Sequence, residues 1–172
     1  MRSTTRTAIG GVVTALVIGT AALPAQATPA PDSPATTNQL VARTRAAVAK
    51  LHDVDAAIAA GYVQVGDCAE SPAGAMGIHF MNPSLITPGV VDASRPPFLT
   101  YGPSEAGGLE LWSAEFFEPD VGQPTPMFGA QAFDGPMPGH EPGMPTHYDL
   151  HVWVGAHNPA GRFAAWNPAL HC

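Results

Sequence analysis

The chain has 172 residues, of which 45% are hydrophobic, 7 are Lys or Arg and 14 are Asp or Glu, giving a formal net charge of −7. This length suits one ordinary domain, and the hydrophobic content argues against wholesale disorder. Nucleic-acid binding requires clustered Lys and Arg side chains, and this chain has a single lysine, Lys50, so we expect no nucleic-acid partner.

The first 27 residues have the pattern of a secretory signal peptide. Arg2 and Arg6 precede an uncharged apolar segment, residues 8–22, which is shorter than the roughly 20 residues of a membrane-spanning helix. The small residues Ala25 and Ala27 predict cleavage after Ala27. We therefore expect a secreted protein in the extracellular, periplasmic or cell-wall space, with no membrane partner after cleavage. An uncleaved membrane anchor is the alternative.

Residues 28–37, with the sequence TPAPDSPATT, form a predicted disordered tether, and residues 38–172 form a single predicted globular domain. An amphipathic helix is expected over residues 38–60, because apolar residues recur there at steps of three, four and seven. Gly61 is expected to end this helix. The apolar stripe consists of Leu40, Ala47, Val48, Leu51, Val54 and Ile58, with Thr44 as its polar member.

Beyond Gly61 the pattern favours β-strands. The glycine-rich segment 102–108 is a predicted hairpin loop, and the proline- and glycine-rich segment 119–146 is a predicted long loop. This loop is expected to pack onto the domain through Phe128, Phe133, Met127 and Met137. The predicted strands are residues 62–66, 77–82, 98–101, 109–118 and 147–154.

These elements predict an α+β fold in which one N-terminal amphipathic helix packs on an antiparallel β-sheet or small β-barrel. Cys68 and Cys172 are the two cysteines of the chain, and an even count in an exported protein predicts a disulfide. A redox thiol or a metal ligand is the alternative for these cysteines, although no CxxC motif supports it.

Five polar residues point to a metal site, four of them as candidate ligands. Strict alternation places His147, His151 and, between them, Asp149 on one face of a strand, while His79 projects from another strand. Glu115 lies in a strand that is apolar on both faces, and a carboxylate is costly to bury there unless it is paired or bound to a metal.

Three imidazoles and one carboxylate suit Zn, Cu, Mn or Fe. His79, Glu115 and His151 are the predicted ligands. His147 is the weaker candidate, because residues four apart on a strand are about 13 Å apart. Asp149 is expected to ligate the metal or to orient a histidine next to it.

Two other interpretations use the same polar side chains without a metal. They can form a structural His/Asp/Glu cluster in a non-catalytic binding or interaction domain, or a metal-free acid–base site. A separate stretch of methionine and histidine, Met137 to His147, has side chains that Cu(I) prefers, although Met also serves to fill gaps in a core. The sequence contains no GxSxG, HExxH, Walker or GxGxxG motif, and it assigns no enzymatic reaction.

Several motifs follow one another between Arg43 and Cys172: MGIHFMN at 76–82, EFF at 115–117, HYDLHVW at 147–153, NPAG at 158–161, WNP at 166–168, and Cys172 itself. This series resembles a group of uncharacterised exported bacterial proteins with no established activity, so the resemblance implies export and no catalytic role. The cupin metal barrel is the nearest functional analogy. Cupins place His-x-His and Glu close together, whereas Glu115 precedes His147 by over thirty residues.

Overall fold

The computed structural model describes residues 35–172, so the predicted signal peptide and most of the predicted tether lie outside the described residues. Within this range two α-helices precede eight β-strands. The helices are α1 (Thr37–Val48) and α2 (Val54–Ala59), with 3-10 turns at Ala49–Leu51 and Pro83–Leu85. The strands are β1 (Val63–Ser71), β2 (Gly74–Met81), β3 (Phe98–Pro103), β4 (Leu109–Pro119), β5 (Met127–Phe128), β6 (Gln131–Ala132), β7 (Asp134–Met137) and β8 (His147–Trp153).

Helix α1 begins with a capping box. The Thr36 hydroxyl accepts a hydrogen bond from the Gln39 N–H (3.3 Å), and the Gln39 side-chain oxygen accepts one from the Thr36 N–H (2.7 Å). The buried residues of α1 are Val41, Thr44 and Val48, which lie three and four positions apart and therefore share one side of the helix.

The prediction of one helix over residues 38–60 is wrong in its continuity. The helix is interrupted where Asp53 adopts an extended conformation and its carboxylate accepts the N–H of Asp55, which starts α2 as a separate helix. Gly61 then ends α2 as predicted, with a φ of +94° that favours glycine.

Six strands form one antiparallel sheet in the order β1-β2-β3-β4-β8-β7, and β5 pairs with β6 separately. The sheet is curled into a half-barrel. Its two edge strands, β1 and β7, do not pair with each other among the described residues, so the barrel is not closed. Each of the five predicted strands overlaps an observed one, and β1 extends further than predicted, through Cys68 to Ser71.

The two faces of the sheet differ in composition. On what we call the helix face, apolar residues pack against α1, α2 and the segment between them, including Phe80, Leu99, Ala114, Leu150 and Val152. On the opposite side, the histidine face, the strands present His79, Thr100, Ser113, Glu115, Asp149 and His151. The helix packed on the sheet confirms the coarse α+β prediction.

A β-bulge at Trp112 changes which residues share a face. Tyr101 is opposite Leu111 and Thr100 is opposite Ser113, so Trp112 is an extra residue on β4. Strict alternation places Leu111 on the face of Glu115, but the bulge turns Leu111 into the helix-face core. The Trp112 ring lies over the backbone of β3, where a Cβ at Gly102 would come within 1.9 Å of Trp112 Cζ2.

The predicted disulfide is confirmed. It joins Cys68 on β1 to Cys172, with the two Cα atoms 5.8 Å apart, and it fastens the segment after β8 to an edge of the sheet. Disulfides are typical of oxidising compartments. Residues 35–172 include no helix long and apolar enough to cross a membrane.

The long segment between β4 and β8 contains the short strands β5, β6 and β7. Phe128 and Phe133 are buried in the helix-face core, in agreement with the expectation that the segment packs down. Met127 was expected to pack with them but is 49% exposed. Strand β7 pairs with the outer edge of β8, and no strand was predicted there because its residues, DGPM, include both Gly and Pro.

Candidate metal centre

Three residues of the histidine face come together from three strands. Glu115 on β4 is directly opposite His151 on β8, so their side chains are neighbours on the same face. His79 lies on β2, two strands from β4, and its ring is 5.8 Å from that of His151. We refer to His79, Glu115 and His151 as the triad.

The ligand atoms of the triad converge on one point. His79 Nε2 lies 3.3 Å from Glu115 Oε2, and His151 Nε2 lies 3.9 Å from the same oxygen. One ligand atom from each residue falls within 4.8 Å of the other two, which is close enough to hold a single metal ion. The side chains of Glu115 and His151 are 7% and 1% exposed, and that of His79 is 16% exposed.

The triad contains polar atoms that the described protein leaves unsatisfied. Among residues 35–172, Glu115 Oε2 and both ring nitrogens of His151 are fully buried and have no hydrogen-bond partner. The 3.3 Å approach of His79 to Glu115 therefore does not have hydrogen-bond geometry. Trp112 Nε1, also on β4 but outside the triad, is the other fully buried side-chain atom of residues 35–172 without a hydrogen-bond partner.

Other buried polar side chains nearby do have partners. Thr100 and Ser113, on the strands that separate His79 from His151, hydrogen-bond to each other at 2.7 Å. Glu118, three residues after Glu115 on β4, is also buried, and its Oε2 accepts the N–H of Gly89 at 2.7 Å. Three of the four unsatisfied buried side-chain atoms of residues 35–172 therefore belong to the triad, and burial in β4 does not by itself leave a polar side chain without a partner. Leaving such an atom unpaired costs about 1–3 kcal/mol, more if it is charged.

Burial shifts the pKa of each triad residue in the direction that favours its neutral form. Burial lowers the pKa of His151 to about 3, with further lowering by His79 and His140, and burial lowers the pKa of His79 to about 4. Burial and the nearby Asp149 raise the pKa of Glu115. At neutral pH both imidazoles are therefore neutral and can donate a lone pair to a metal ion, and a bound ion would favour the ionised form of Glu115 that burial alone disfavours.

The structure places His147 apart from the triad. Its Nδ1 is 3.0 Å from the Pro145 carbonyl oxygen, and its ring stacks on Phe117 with centroids 4.8 Å apart. It is buried at the start of β8, four residues from His151, as the strand geometry anticipates.

Asp149 lies between His147 and His151 on the histidine face. Its Oδ2 is 3.9 Å from His147 Nε2, and burial raises its pKa to about 7. Asp149 therefore lies beside His147, and its charge helps to raise the pKa of Glu115. Among the described residues, no hydrogen bond joins Asp149 to His79 or His151.

A cavity of about 510 Å³ adjoins the triad, and all three triad residues line it. Strands from both edges of the sheet contribute to its walls, as do the segment before β8 and the segment after it. Met137, His140 and Met144, from the stretch whose side chains suit Cu(I), all line this cavity. The structure thus brings the methionine- and histidine-containing stretch to the same place as the triad.

Sequence reasoning missed several acidic residues at this cavity. Asp67, Asp134 and Glu141 line it, although they come from β1, β7 and the segment between β7 and β8. The Glu141 carboxylate lies against β1, where a Cβ at Gly66 would be 2.9 Å from its Oε1. No local pattern marks these residues, because only the curl of the sheet brings the two edges to one cavity.

No family model, curated protein or solved structure matches this chain. The resemblance to a group of exported bacterial proteins therefore stays a prediction.

Proposed function

We propose that this protein binds one transition-metal ion through His79, Glu115 and His151. The observation that supports the proposal is the convergence of buried ligand atoms without hydrogen-bond partners on one point. A metal ion satisfies Glu115 Oε2 and one nitrogen of His151 at once, and its charge offsets the cost of burying a carboxylate. A purely structural cluster would instead be expected to pair these atoms with protein donors, as Thr100 and Ser113 do.

The donor set limits the metals that fit. Two imidazoles and one carboxylate are found around catalytic Zn²⁺ and in the facial triad of non-haem Fe(II) sites, and both kinds of site keep an open position. Cu and Mn also accept these ligands. Glu115, His79 and His151 therefore favour one of these four metals over Ca²⁺ or Mg²⁺, which take mostly oxygen ligands.

We also propose that the protein acts after export, as the signal-peptide pattern and the resemblance to exported bacterial proteins suggest. The Cys68–Cys172 disulfide supports this location, because such bonds persist mainly in oxidising compartments. Metal binding would then take place outside the cytoplasm, with the ion supplied from that compartment.

The test is elemental analysis of the exported protein, purified without a polyhistidine tag. We expect close to one equivalent of Zn, Cu, Mn or Fe per chain. Glu115→Gln should remove the metal while the fold is retained, because the amide cannot supply a negative charge. Glu118→Gln is the matched control, since Glu118 is equally buried on the same strand but bonds to Gly89.

A second pair of variants separates the metal site from a structural cluster. His79→Ala combined with His151→Ala should abolish metal binding, whereas His52→Ala, at a residue 66% exposed and remote from the triad, should not. If the protein contains no metal, takes up none when metal is added, and loses stability in His151→Ala to the same degree with and without added metal, the cluster is structural and the proposal is wrong.

A further inference from the structure

The cavity beside the triad has the size and lining of a small-molecule site. Its volume of about 510 Å³ is within the range of roughly 300–1,000 Å³ that is typical of such sites. Its walls include the apolar side chains of Phe98, Met76, Met137, Met144 and Trp166, and the triad supplies a compact polar patch among them. Mostly apolar walls with a few convergent polar groups are characteristic of ligand pockets.

The position of the metal ligands determines from which side a further ligand can reach the metal ion. A Zn²⁺ or Fe(II) ion held by three protein ligands keeps at least one coordination position for a non-protein atom. Because Glu115 and His151 are covered by the sheet on their other sides and the triad lines the cavity, a ligand atom reaches the ion from the cavity.

The charges of the walls select against anions. Asp67, Asp134, Glu141 and Asp149 all line the cavity, and none of the described lining residues is Lys or Arg. An anionic ligand would gain no cationic partner other than the metal, and it would be repelled by those carboxylates that are ionised. A neutral or cationic ligand avoids this repulsion.

The wall that contains Trp166 is held in place from several directions. The Trp166 carbonyl oxygen accepts a hydrogen bond from the Asn158 side chain at 3.0 Å, and the adjacent Asn167 exchanges backbone hydrogen bonds with Ala75 of β2 at 3.0 and 3.1 Å. The disulfide to Cys68 fastens the same segment to β1. The aromatic wall is therefore preformed, which lowers the entropy cost of binding.

We propose that this cavity binds a small, uncharged or cationic organic molecule that has an apolar body and one donor atom for the metal. The donor atom would occupy the open coordination position, and the body would contact Trp166 and the methionines Met137 and Met144. This inference rests on the proposed metal site and adds to it the class of ligand.

The experiment uses protein loaded with Co²⁺, whose visible absorption reports a new ligand on the metal. The probes are 4-phenylimidazole, imidazole without the phenyl body, and 4-phenylimidazole with a para carboxylate. We expect 4-phenylimidazole to bind at least about tenfold more tightly than either of the other two, a difference of about 1.4 kcal/mol. The comparison with imidazole tests the apolar walls, and the comparison with the carboxylate tests the charge.

Variants locate the effect in the cavity. Met137→Ser combined with Met144→Ser should reduce the preference for 4-phenylimidazole over imidazole by at least about threefold, and Trp166→Ala should do the same. Met127→Ser is the matched control, because Met127 is 49% exposed and does not line the cavity. Imidazole affinity, which reports the metal alone, should change little in all of these variants.

The outcomes separate this inference from the proposed function. If Co²⁺ binds at the triad but the three probes bind equally well, or the cavity variants leave the preference intact, the ligand class is wrong and the metal site stands. If neither Co²⁺ nor any of Zn, Cu, Mn and Fe binds, both proposals are wrong.

Discussion

The helix face and the histidine face of the sheet differ in how their buried side chains are satisfied. On the helix face, Leu99 and Leu150 are fully buried and contact other apolar side chains from the helices and neighbouring strands. On the histidine face, Glu115 and His151 are nearly as buried, yet three of their polar atoms have no partner within residues 35–172. Both faces belong to the same strands, and successive residues along a strand point to opposite faces. The contrast is therefore between alternate residues of the same strands.

This contrast assigns different tasks to the two faces. Burial of the helix face stabilises the fold at about 25 cal/mol for each Å² of apolar surface removed from water. The triad of the histidine face costs stability in the metal-free protein, because desolvated polar atoms are unpaired. Such a cost is expected at functional sites, where local rules of stability are broken for the benefit of binding.

Removing the disulfide is expected to have the largest effect on stability. In Cys68→Ser combined with Cys172→Ser, the free energy of unfolding should fall by about 2–5 kcal/mol, since the bond closes a long loop in the unfolded chain. The Cys residues are 104 positions apart, which places the expected loss near the upper end of that range. Urea unfolding of the variant and the oxidised protein measures the difference, and a loss below about 1 kcal/mol would contradict the account.

Leu99→Ala tests the helix face alone. Leu99 is fully buried, so the substitution should lower the free energy of unfolding by about 2–5 kcal/mol through lost burial and a cavity. The metal affinity of the molecules that remain folded should stay within about threefold, because Leu99 points away from the triad. A loss of metal binding as large as that of Glu115→Gln would show that the two faces are not separable.

Metal should stabilise the protein through the triad. At a free metal concentration one hundred times the dissociation constant, the free energy of unfolding should rise by about 2.7 kcal/mol. Glu115→Gln should show no such rise, and Glu118→Gln should respond like the unaltered protein. The measurement is urea unfolding with and without metal, and equal stabilisation of both variants would place the ion elsewhere.

The smallest expected change is with pH in the metal-free protein. The folded-state pKa of Asp149 is raised from 3.8 to about 7 and that of Glu115 is raised above 4.5, so above these ordinary values the unfolded chain loses protons that the folded chain keeps. For Asp149, stability therefore falls as pH rises from about 4 to the folded-state pKa of about 7, by on the order of 1 kcal/mol for each pH unit, and it levels off above that pKa. The raised pKa of Glu115 contributes a fall of the same sign. The histidines oppose part of this fall, because their folded-state pKa values are lowered and the unfolded chain still binds protons at them up to about pH 7.5. Each contributes a rise of up to about 0.3 kcal/mol between pH 6.5 and 7.5.

Thermal unfolding of chelator-treated protein at pH 6.5 and 7.5 checks the sign. Combining Glu115→Gln with Asp149→Asn should remove the fall and leave only the rise that the histidines contribute. A double variant whose melting temperature changes with pH in the same way as that of the unaltered protein would contradict the described burial of the two carboxyls.

The sequence was informative where the alternation of side chains is regular. In β8 and β2 the period of two placed His151 and His79 on faces opposite to Leu150 and Phe80, as the structure has them. A carboxylate within an apolar strand also singled out Glu115. These inferences depend only on local geometry, which the sequence contains.

The rest depends on contacts between distant parts of the chain. The bulge at Trp112 requires the space above Gly102. The interruption of the helix before α2 depends on Asp53, whose backbone also forms an isolated β-bridge with Glu110 of β4. The cavity forms because the sheet curls and brings β1, with Asp67, and β7, with Asp134, to one place. None of these contacts has a local signature that periodicity can detect.

The metal site is tested most directly by a crystal structure of the metal-loaded protein with anomalous data collected at the edge of the bound metal. We predict one anomalous peak at about 2.0–2.2 Å from a Glu115 carboxylate oxygen and from a ring nitrogen of each of His79 and His151. A stoichiometric metal whose peak lies elsewhere, with Glu115 and His151 bonded to protein donors, would contradict it.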